Sequence, residues 1–310
     1  MKKTSKTIVF FGSGPVAAES LRLLAESFEI EAVVTKPRPE HHKGPVPVIE
    51  LTTKLGLATY TPSNKTELSK LFATKPFKSE IGVVIDYGII INKDVIDYFS
   101  LGIINSHFSL LREWRGADPI TFAILSGQKQ TGISLMLINE KMDEGLLLAQ
   151  APYDLDIAIT TPALTKDLIE LSYESLCQIM PLYIDDKIRL ASQEEATMAP
   201  SKKPTYSRKL TKEDSILDWA KPAEVLEREI RAFIEWPKSR ARIGEVDAII
   251  TKAHVIQDND KTPGKIYATV GSAELIIGCG TGALSIDALK PAGKPEMTAQ
   301  AFLAGYRNKL

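Results

Sequence analysis

Leu101-Gly-Ile-Ile-Asn-Ser-His107 is a short apolar run that stops on an amide and an imidazole. Adjacent β-branched residues suit a buried strand, and a loop, Ser109-Leu-Leu-Arg-Glu-Trp-Arg-Gly116, follows at once. Open α/β sheets bind ligands just beyond the carboxyl ends of their strands. The stretch therefore predicts an α/β fold with its chemistry on that rim. Glu80-Ile-Gly-Val-Val-Ile85, on its N-terminal side, is a second buried strand and ends in Asp86-Tyr87-Gly88. Ile133-Ser-Leu-Met-Leu-Ile138, on its C-terminal side, is a third and leads into Met142-Asp143-Glu-Gly145.

The rest of the first half repeats the pattern. Thr7-Ile-Val-Phe-Phe11 is stopped by Gly12-Ser-Gly-Pro15, and Ala17, Leu21 and Leu24 then recur at helical spacing up to Ser27. Ile30 to Val34 reads as a strand, and 46–55 and 65–72 read as helices. Strands alternating with helices and punctuated by Gly and Pro predict a parallel sheet covered by helices. A long amphipathic helix over 164–183 closes this unit, so the first domain is expected over 1–185. The polar stretch 186–205, with Ala199-Pro200-Ser-Lys-Lys-Pro204, reads as a linker. Beyond it, a charged helix over 223–233 precedes short strands at 248–250, 265–267, 274–277 and 283–286, the signature of a small β-barrel over 206–310.

A length of 310 residues suits two domains, and 44% apolar against 25% charged residues is ordinary for soluble chains. Charge is uneven. Residues 1–200 carry 20 Lys/Arg against 25 Asp/Glu, and 201–310 carry 18 against 14. The C-terminal third is thus mildly basic, which fits a polyanionic partner or ordinary variation between two surfaces. Cys177 and Cys279 form no Cys-x-x-Cys pair, so neither a zinc site nor a disulfide framework is expected. No signal-peptide pattern and no membrane-length apolar run is present, and the cytoplasm is the expected location.

Asn105, His107 and Asp143 make a workable acyl-transfer set. An amide can donate to an oxyanion, an imidazole can carry a proton near neutral pH, and a carboxylate can orient the ring. Both His107 and Asp143 follow strands, so a shared rim would bring them together; the alternative is a buried histidine satisfied by a neighbour. Asp86-Tyr87-Gly88 ends another strand on that rim. Its backbone could hydrogen-bond a planar heterocycle, or Asp86 could be a plain turn residue. Gly12-Ser-Gly-Pro-Val-Ala17 has dinucleotide-fingerprint spacing, but the next strand ends Val33-Val-Thr-Lys36 with no acid for a ribose, so a tight turn is the better reading. His41-His42 lie in a Pro-rich loop without a completing ligand set, and His254 reads as structural.

Asn105-Ser-His107, the Ser109–Ala117 loop and Met142-Asp143-Glu-Gly145 together resemble the folate-dependent formyltransferase family. Over the C-terminal third, Tyr206 to Asp214, Ile216-Leu-Asp-Trp219, Ile230-Arg-Ala-Phe233, Trp236-Pro237 and Leu289 to Lys294 resemble the branch that acts on charged initiator tRNA. The resemblance implies a Rossmann-like, mostly parallel catalytic domain over 1–185 and an OB-like, tRNA-binding barrel over 206–310. It implies 10-formyltetrahydrofolate and initiator methionyl-tRNA as substrates, with no metal, no membrane and no obligate protein partner. Asn105, His107 and Asp143 match the family's catalytic trio, and Ser109, Leu110, Leu111 and Arg112 its folate stretch, with Asp86, Tyr87 and Gly88 beside it.

The chain departs from the family pattern at Arg112, where relatives carry Pro, at Phe108, where they carry a small residue, and at 36–47, where their loop is longer and more basic. Cations expected to meet the tRNA are Arg38 and Lys43 in that loop, Lys202, Lys203, Arg208 and Lys209 near the linker, and Lys238, Arg240 and Arg242 near the barrel start. Rival readings are a sugar-nucleotide N-formyltransferase, a catalytically silent RNA-binding relative, and a nicotinamide oxidoreductase resting on Gly12–Ala17 alone.

Overall fold

The computed structural model describes residues 7–40, 44–74, 76–199, 203–268 and 274–310. In chain order the elements are β1 (Thr7–Gly12), α1 (Gly14–Ser27), β2 (Glu29–Val34), α2 (Pro47–Leu55), β3 (Thr59–Tyr60), α3 (Lys65–Ala73), β4 (Gly82–Ile85), α4 (Lys93–Ile96), β5 (Ile103–His107), β6 (Arg115–Gly116), α5 (Pro119–Ser126), β7 (Gln130–Leu137), β8 (Leu147–Asp154) and α6 (Thr161–Ile184). They continue as α7 (Gln193–Ala196), β9 (Tyr206–Ser207), α8 (Ala223–Ala232), β10 (Ser239–Ile243), β11 (Val246–Ile256), β12 (Ile266–Ala268), β13 (Leu275–Gly278), β14 (Ala283–Pro291), β15 (Met297–Thr298) and α9 (Ala299–Tyr306). Two compact units interleave along the chain. One holds 1–116, 130–154 and 165–207, and the other 117–129, 155–164 and 208–310.

The first unit is built on a seven-stranded sheet of order β3-β2-β1-β4-β5-β7-β8. The first five strands are parallel, as the strand-helix alternation requires. β1 packs Ile8 to Phe11 wholly out of solvent, and β4 is buried throughout, as expected for strands covered on both faces. Gly12 ends β1 where a side chain has no room. A Cβ there would stand 2.5 Å from the Phe10 ring, 2.6 Å from the Ala17 Cβ and 2.8 Å from the Ile85 carbonyl oxygen. Close packing of strand on helix accounts for this glycine, and the tight-turn reading stands. On the β2 and β3 side, Phe11, Phe72, Phe77, Tyr87 and Phe99 form an aromatic cluster.

β7 and β8 depart from the parallel pattern. β7 runs antiparallel to β5, pairing Ile104 with Leu137 and His107 with Ser134. The end of β7 therefore lies beside the start of β5, at the rim opposite His107. Asp143 and His107 do meet, as expected, but the strands that precede them do not end on a shared rim. The 138–146 hairpin loop that joins β7 to β8 turns back to bring Asp143 to the ring. An apolar run predicts a strand but carries no mark of its direction.

The second unit is a wholly antiparallel sheet of order β10-β11-β14-β13-β12, with β15 added to β14, in an OB-like arrangement. Alternation fixes its two faces. Ile243, Ala248, Ile250, Leu284, Ile286 and Leu289 are buried, and α8 seals them with Leu226 and Ile230. Each of the Ile and Leu side chains contributes roughly 1.5–3 kcal/mol on leaving water. α9 adds Phe302, wholly buried. No helix among the described residues is long and apolar enough to cross a membrane.

Candidate active site

β5 sets the site by simple alternation. Ser106 is buried and hydrogen-bonds Ser172 of α6 at 2.6 Å, so its neighbours Asn105 and His107 both face the other side of the sheet. The Asn105 side-chain amide is half-buried and has no hydrogen-bond partner among the described residues. It is free to donate to a ligand oxygen. The His107 ring is only 6% exposed and is held at both ends. Its Nε2 lies 3.0 Å from the Trp114 carbonyl oxygen, and its Nδ1 lies 3.8 Å from Asp143 Oδ1. A carbonyl can only accept, so Nε2 carries a proton and Nδ1 is the nitrogen left for proton exchange.

The backbone N–H of Gly116 donates to the other carboxylate oxygen of Asp143 at 2.8 Å. Asp143, Trp114 and Asp86 are three of only five non-glycine residues with left-handed φ among the described residues, at 53°, 53° and 49°. Each such residue costs about 1–3 kcal/mol, and such outliers gather at functional sites. The hairpin loop behind Asp143 is tight. A Cβ at Gly145 would sit 1.6 Å from the Leu137 carbonyl oxygen, so only glycine allows the loop to close here.

The Ser109–Arg112 loop is fixed through its backbone. Ser134 Oγ donates to Ser109 O at 2.7 Å and accepts from Leu111 N at 2.9 Å. Gln150 Nε2 and Thr197 Oγ1 both donate to Leu111 O. Ser109, Leu110 and Leu111 are buried, so this stretch meets a ligand through its position and backbone more than its side chains. Arg112 follows a cis Leu111–Arg112 peptide, and its guanidinium pairs with Glu194 at 3.3 Å. Phe108 is also buried.

Asp86 stands level with His107, since β4 and β5 pair Val84 with Asn105 two residues earlier. Asp86 and Gly88 are exposed at this rim. The Tyr87 ring is buried against Phe11 at 5.7 Å between centroids, so its side chain belongs to the core and its backbone is the part at the rim. Its hydroxyl has no partner among the described residues, and burial pushes its pKa well above the usual phenol range.

Three groups in this site were out of reach of sequence reasoning. The Trp114 carbonyl is a backbone group with no side-chain signal. Arg115 is buried and pairs with Glu144 at 3.0 Å. Gln193 belongs to a stretch whose composition reads as linker. Among the described residues no cluster of His, Cys, Asp or Glu is placed to hold a metal ion.

Comparison with known proteins shows the family. Residues 7–180 match the family model described as formyl transferase, and residues 209–307 match that of the formyl transferase C-terminal domain. The chain belongs to the formyl transferase family. It is 32% identical to the methionyl-tRNA formyltransferase of Roseiflexus castenholzii over 98% of its own length and 97% of the relative's. It is 34% identical to the enzyme of the same name from Nitrosococcus oceani, over 96% and 93%. Among solved structures, it resembles the N-formyltransferase from Helicobacter canadensis in complex with folinic acid and dTDP-3-aminofucose. That likeness has a TM-score of 0.65 at 15% identity and covers 91% of this chain and 99% of the other.

The cations of this formyl transferase fall into distinct groups. Lys43 and Lys202, like His41-His42, lie outside the described residues. Arg38 is exposed and donates to Gly44 O, and Lys203 and Lys209 are exposed. Arg208 is engaged within its own unit. It pairs with Asp214, whose carboxyl it holds well below the usual carboxylate range, and it stands over the Phe122 ring. Lys238 is exposed with φ 74°. Arg240 and Arg242 face solvent on β10. Strand register sets Arg240, Ile249 and Lys290 in one row and Arg242 beside Asp247 in the next. These residues and Ile216 line a groove of about 430 Å³. Arg240 and Lys290 have no ion-pair partner among the described residues. Lys290 was missed in the sequence because fifty positions separate it from Arg240.

Proposed function

We propose that this formyl transferase moves the formyl group of 10-formyltetrahydrofolate to the α-amine of initiator methionyl-tRNA, in the cytoplasm. The observation that carries the reading is the convergence of the His107 ring and the Asp143 carboxylate beside the free Asn105 amide. Its relatives over nearly the whole chain are methionyl-tRNA formyltransferases. The folinic acid in the H. canadensis structure supports a folate as donor.

The chemistry is direct transfer. The neutral amine attacks the formyl carbon, a C–N bond forms, and the carbonyl oxygen becomes an oxyanion. The Asn105 amide donates to that oxygen, and the His107 Nδ1–H is the second donor when the ring is protonated. Asp143 steadies the ring in that form, and the Trp114 carbonyl holds it by its other nitrogen. The amine proton passes to N10 of the folate by way of the His107–Asp143 pair, the C–N10 bond breaks, and tetrahydrofolate leaves. Ser109 to Arg112, with Asp86 and Gly88, would frame the folate.

Residues 1–185 would form the catalytic domain, 186–205 the connection, and 206–310 the tRNA-binding domain. Arg240, Arg242 and Lys290 have the exposure and charge to meet phosphates, with Lys203, Lys209, Lys238 and Arg38 as further contacts. Purified protein should formylate charged initiator tRNA in the presence of 10-formyltetrahydrofolate. Transfer to an amino-sugar nucleotide in preference to charged tRNA would overturn the reading in favour of a sugar-nucleotide formyltransferase.

A further inference from the structure

We infer that Gln193, in the stretch that joins the two domains, is a positioning residue that sets Asp143 against His107. The inference rests on the catalytic reading of that pair given above. Gln193 is 5% exposed, and every polar atom of its side chain is used. Nε2 donates to the Asp143 carbonyl oxygen at 2.8 Å and to that of Gly145 at 3.1 Å, while Oε1 accepts from Arg115 Nη2 at 2.7 Å. Two carbonyls demand a donor and a guanidinium demands an acceptor, so the amide has one orientation. Its amide thus grips both ends of the short turn Asp143-Glu-Gly145.

That grip acts on a loop that needs holding. Asp143 carries left-handed backbone, and its carboxylate meets the ring at 3.8 Å, longer than a hydrogen bond. An approach of about 0.6 Å or more decides whether the two groups share a proton. The Arg115 guanidinium extends the hold by pairing with Glu144, the residue between the two gripped carbonyls. The neighbouring connections point the same way. Thr197 donates to Leu111 O, and Thr205 accepts from Trp114 N through its hydroxyl and from Arg115 N through its carbonyl. Gln193, Thr197 and Thr205 are thereby tied to both loops of the site. Arg115 Nε is buried without a partner among the described residues, so the Gln193 and Glu144 contacts are what hold its guanidinium in this network.

The test uses the full chain, which has four histidines, so the His107 ring resonances can be assigned with His107→Gln. Gln193→Met keeps length but removes donor and acceptor. Gln193→Glu keeps the acceptor towards Arg115 and removes the donors, and it serves where the Met variant does not fold. Asp143→Asn is the reference. Either Gln193 variant should move the His107 ring resonance towards its position in Asp143→Asn. It should lower kcat about 10- to 100-fold and leave KM for folate and for tRNA within about threefold. A His107 resonance that superimposes on the wild type in a folded Gln193 variant overturns the inference, whatever the protein formylates. An inactive wild type overturns the catalytic reading instead, and the ring resonance still decides the placement.

Discussion

His107 gives its Nε2 proton to the carbonyl of Trp114 at 3.0 Å, which leaves Nδ1 alone to work against Asp143. The ring is thus oriented by a backbone group in a left-handed residue and faces a carboxylate across the site. This arrangement separates two duties that a single histidine could otherwise confuse. His107→Gln can mimic one nitrogen but cannot exchange a proton. It should therefore lose about 10²–10³ in kcat, the usual cost of one oxyanion donor or of general acid–base help. Single-turnover formylation of charged tRNA measures it, and a loss below about threefold would remove His107 from the chemistry.

Asn105→Ala separates binding from chemistry. The amide is unpartnered among the described residues, so its removal leaves no buried group stranded. Stability should hold within about 0.5 kcal/mol, while kcat falls about 10²-fold or more. A urea melt beside the transfer assay checks both. A variant that unfolds early but transfers normally would assign Asn105 to structure.

The legible part of this site was what side-chain identity and strand ends reveal. Asn105 and His107 share a face because they are two apart on a strand, and that follows from the sequence. The place of Asp143 did not follow. The run at 133–138 reads as a strand in either direction, and only pairing with β5 shows that it is antiparallel. Backbone groups escape altogether, since the carbonyl of Trp114 and the N–H of Gly116 are the same in any residue. Gln193 was hidden because a polar residue among Ser, Glu and Lys signals solvent, whereas its partners Asp143 and Arg115 lie 50 and 78 positions away. In the second unit the strands at 248–250 and 283–286 were readable but shorter than β11 and β14. Their register, which sets Lys290 beside Arg240, was not readable.

Gly12→Ala tests whether the Gly12–Ala17 turn serves packing. The new methyl would overlap the Phe10 ring, the Ala17 methyl and the Ile85 carbonyl at 2.5–2.8 Å. Overpacking of this kind costs about 1–3 kcal/mol, and chemical denaturation should show that loss. No change in stability would reopen a ligand role for this glycine.

The Arg208–Asp214 pair makes a pH prediction. Hydrogen bonding from Arg208 holds the Asp214 carboxyl below its ordinary value of 3.8. The folded pKa is the lower one, so the contribution is fully present above about pH 4 and fades as acid protonates the group. The guanidinium is more than half exposed, which limits the pair to about 0–1 kcal/mol. Asp214→Asn should lose that much at pH 7, and its melting curve should converge on the wild type as pH falls towards 3 and below. Curves that stay apart in acid would mean that Asp214 stabilises by another route.

On the proposed reading, the same pair predicts which cations an RNA would feel. Arg240 and Lys290 lie in one cross-strand row, exposed and without ion pairs among the described residues, with Ile249 between them. Arg208 is already committed to Asp214 and would have to give up that bond to meet a phosphate. Arg240→Glu and Lys290→Glu should each weaken tRNA binding. Each should also lower the slope of log affinity against log salt by about 0.7–0.9, one counterion released per phosphate contact. Arg208→Gln should change the slope by less than half as much. Titrations at several salt concentrations give all three slopes together. An Arg208 effect as large as that of Arg240 would overturn the proposed place of the RNA on the β10–β11–β14 face and favour the segment that precedes it.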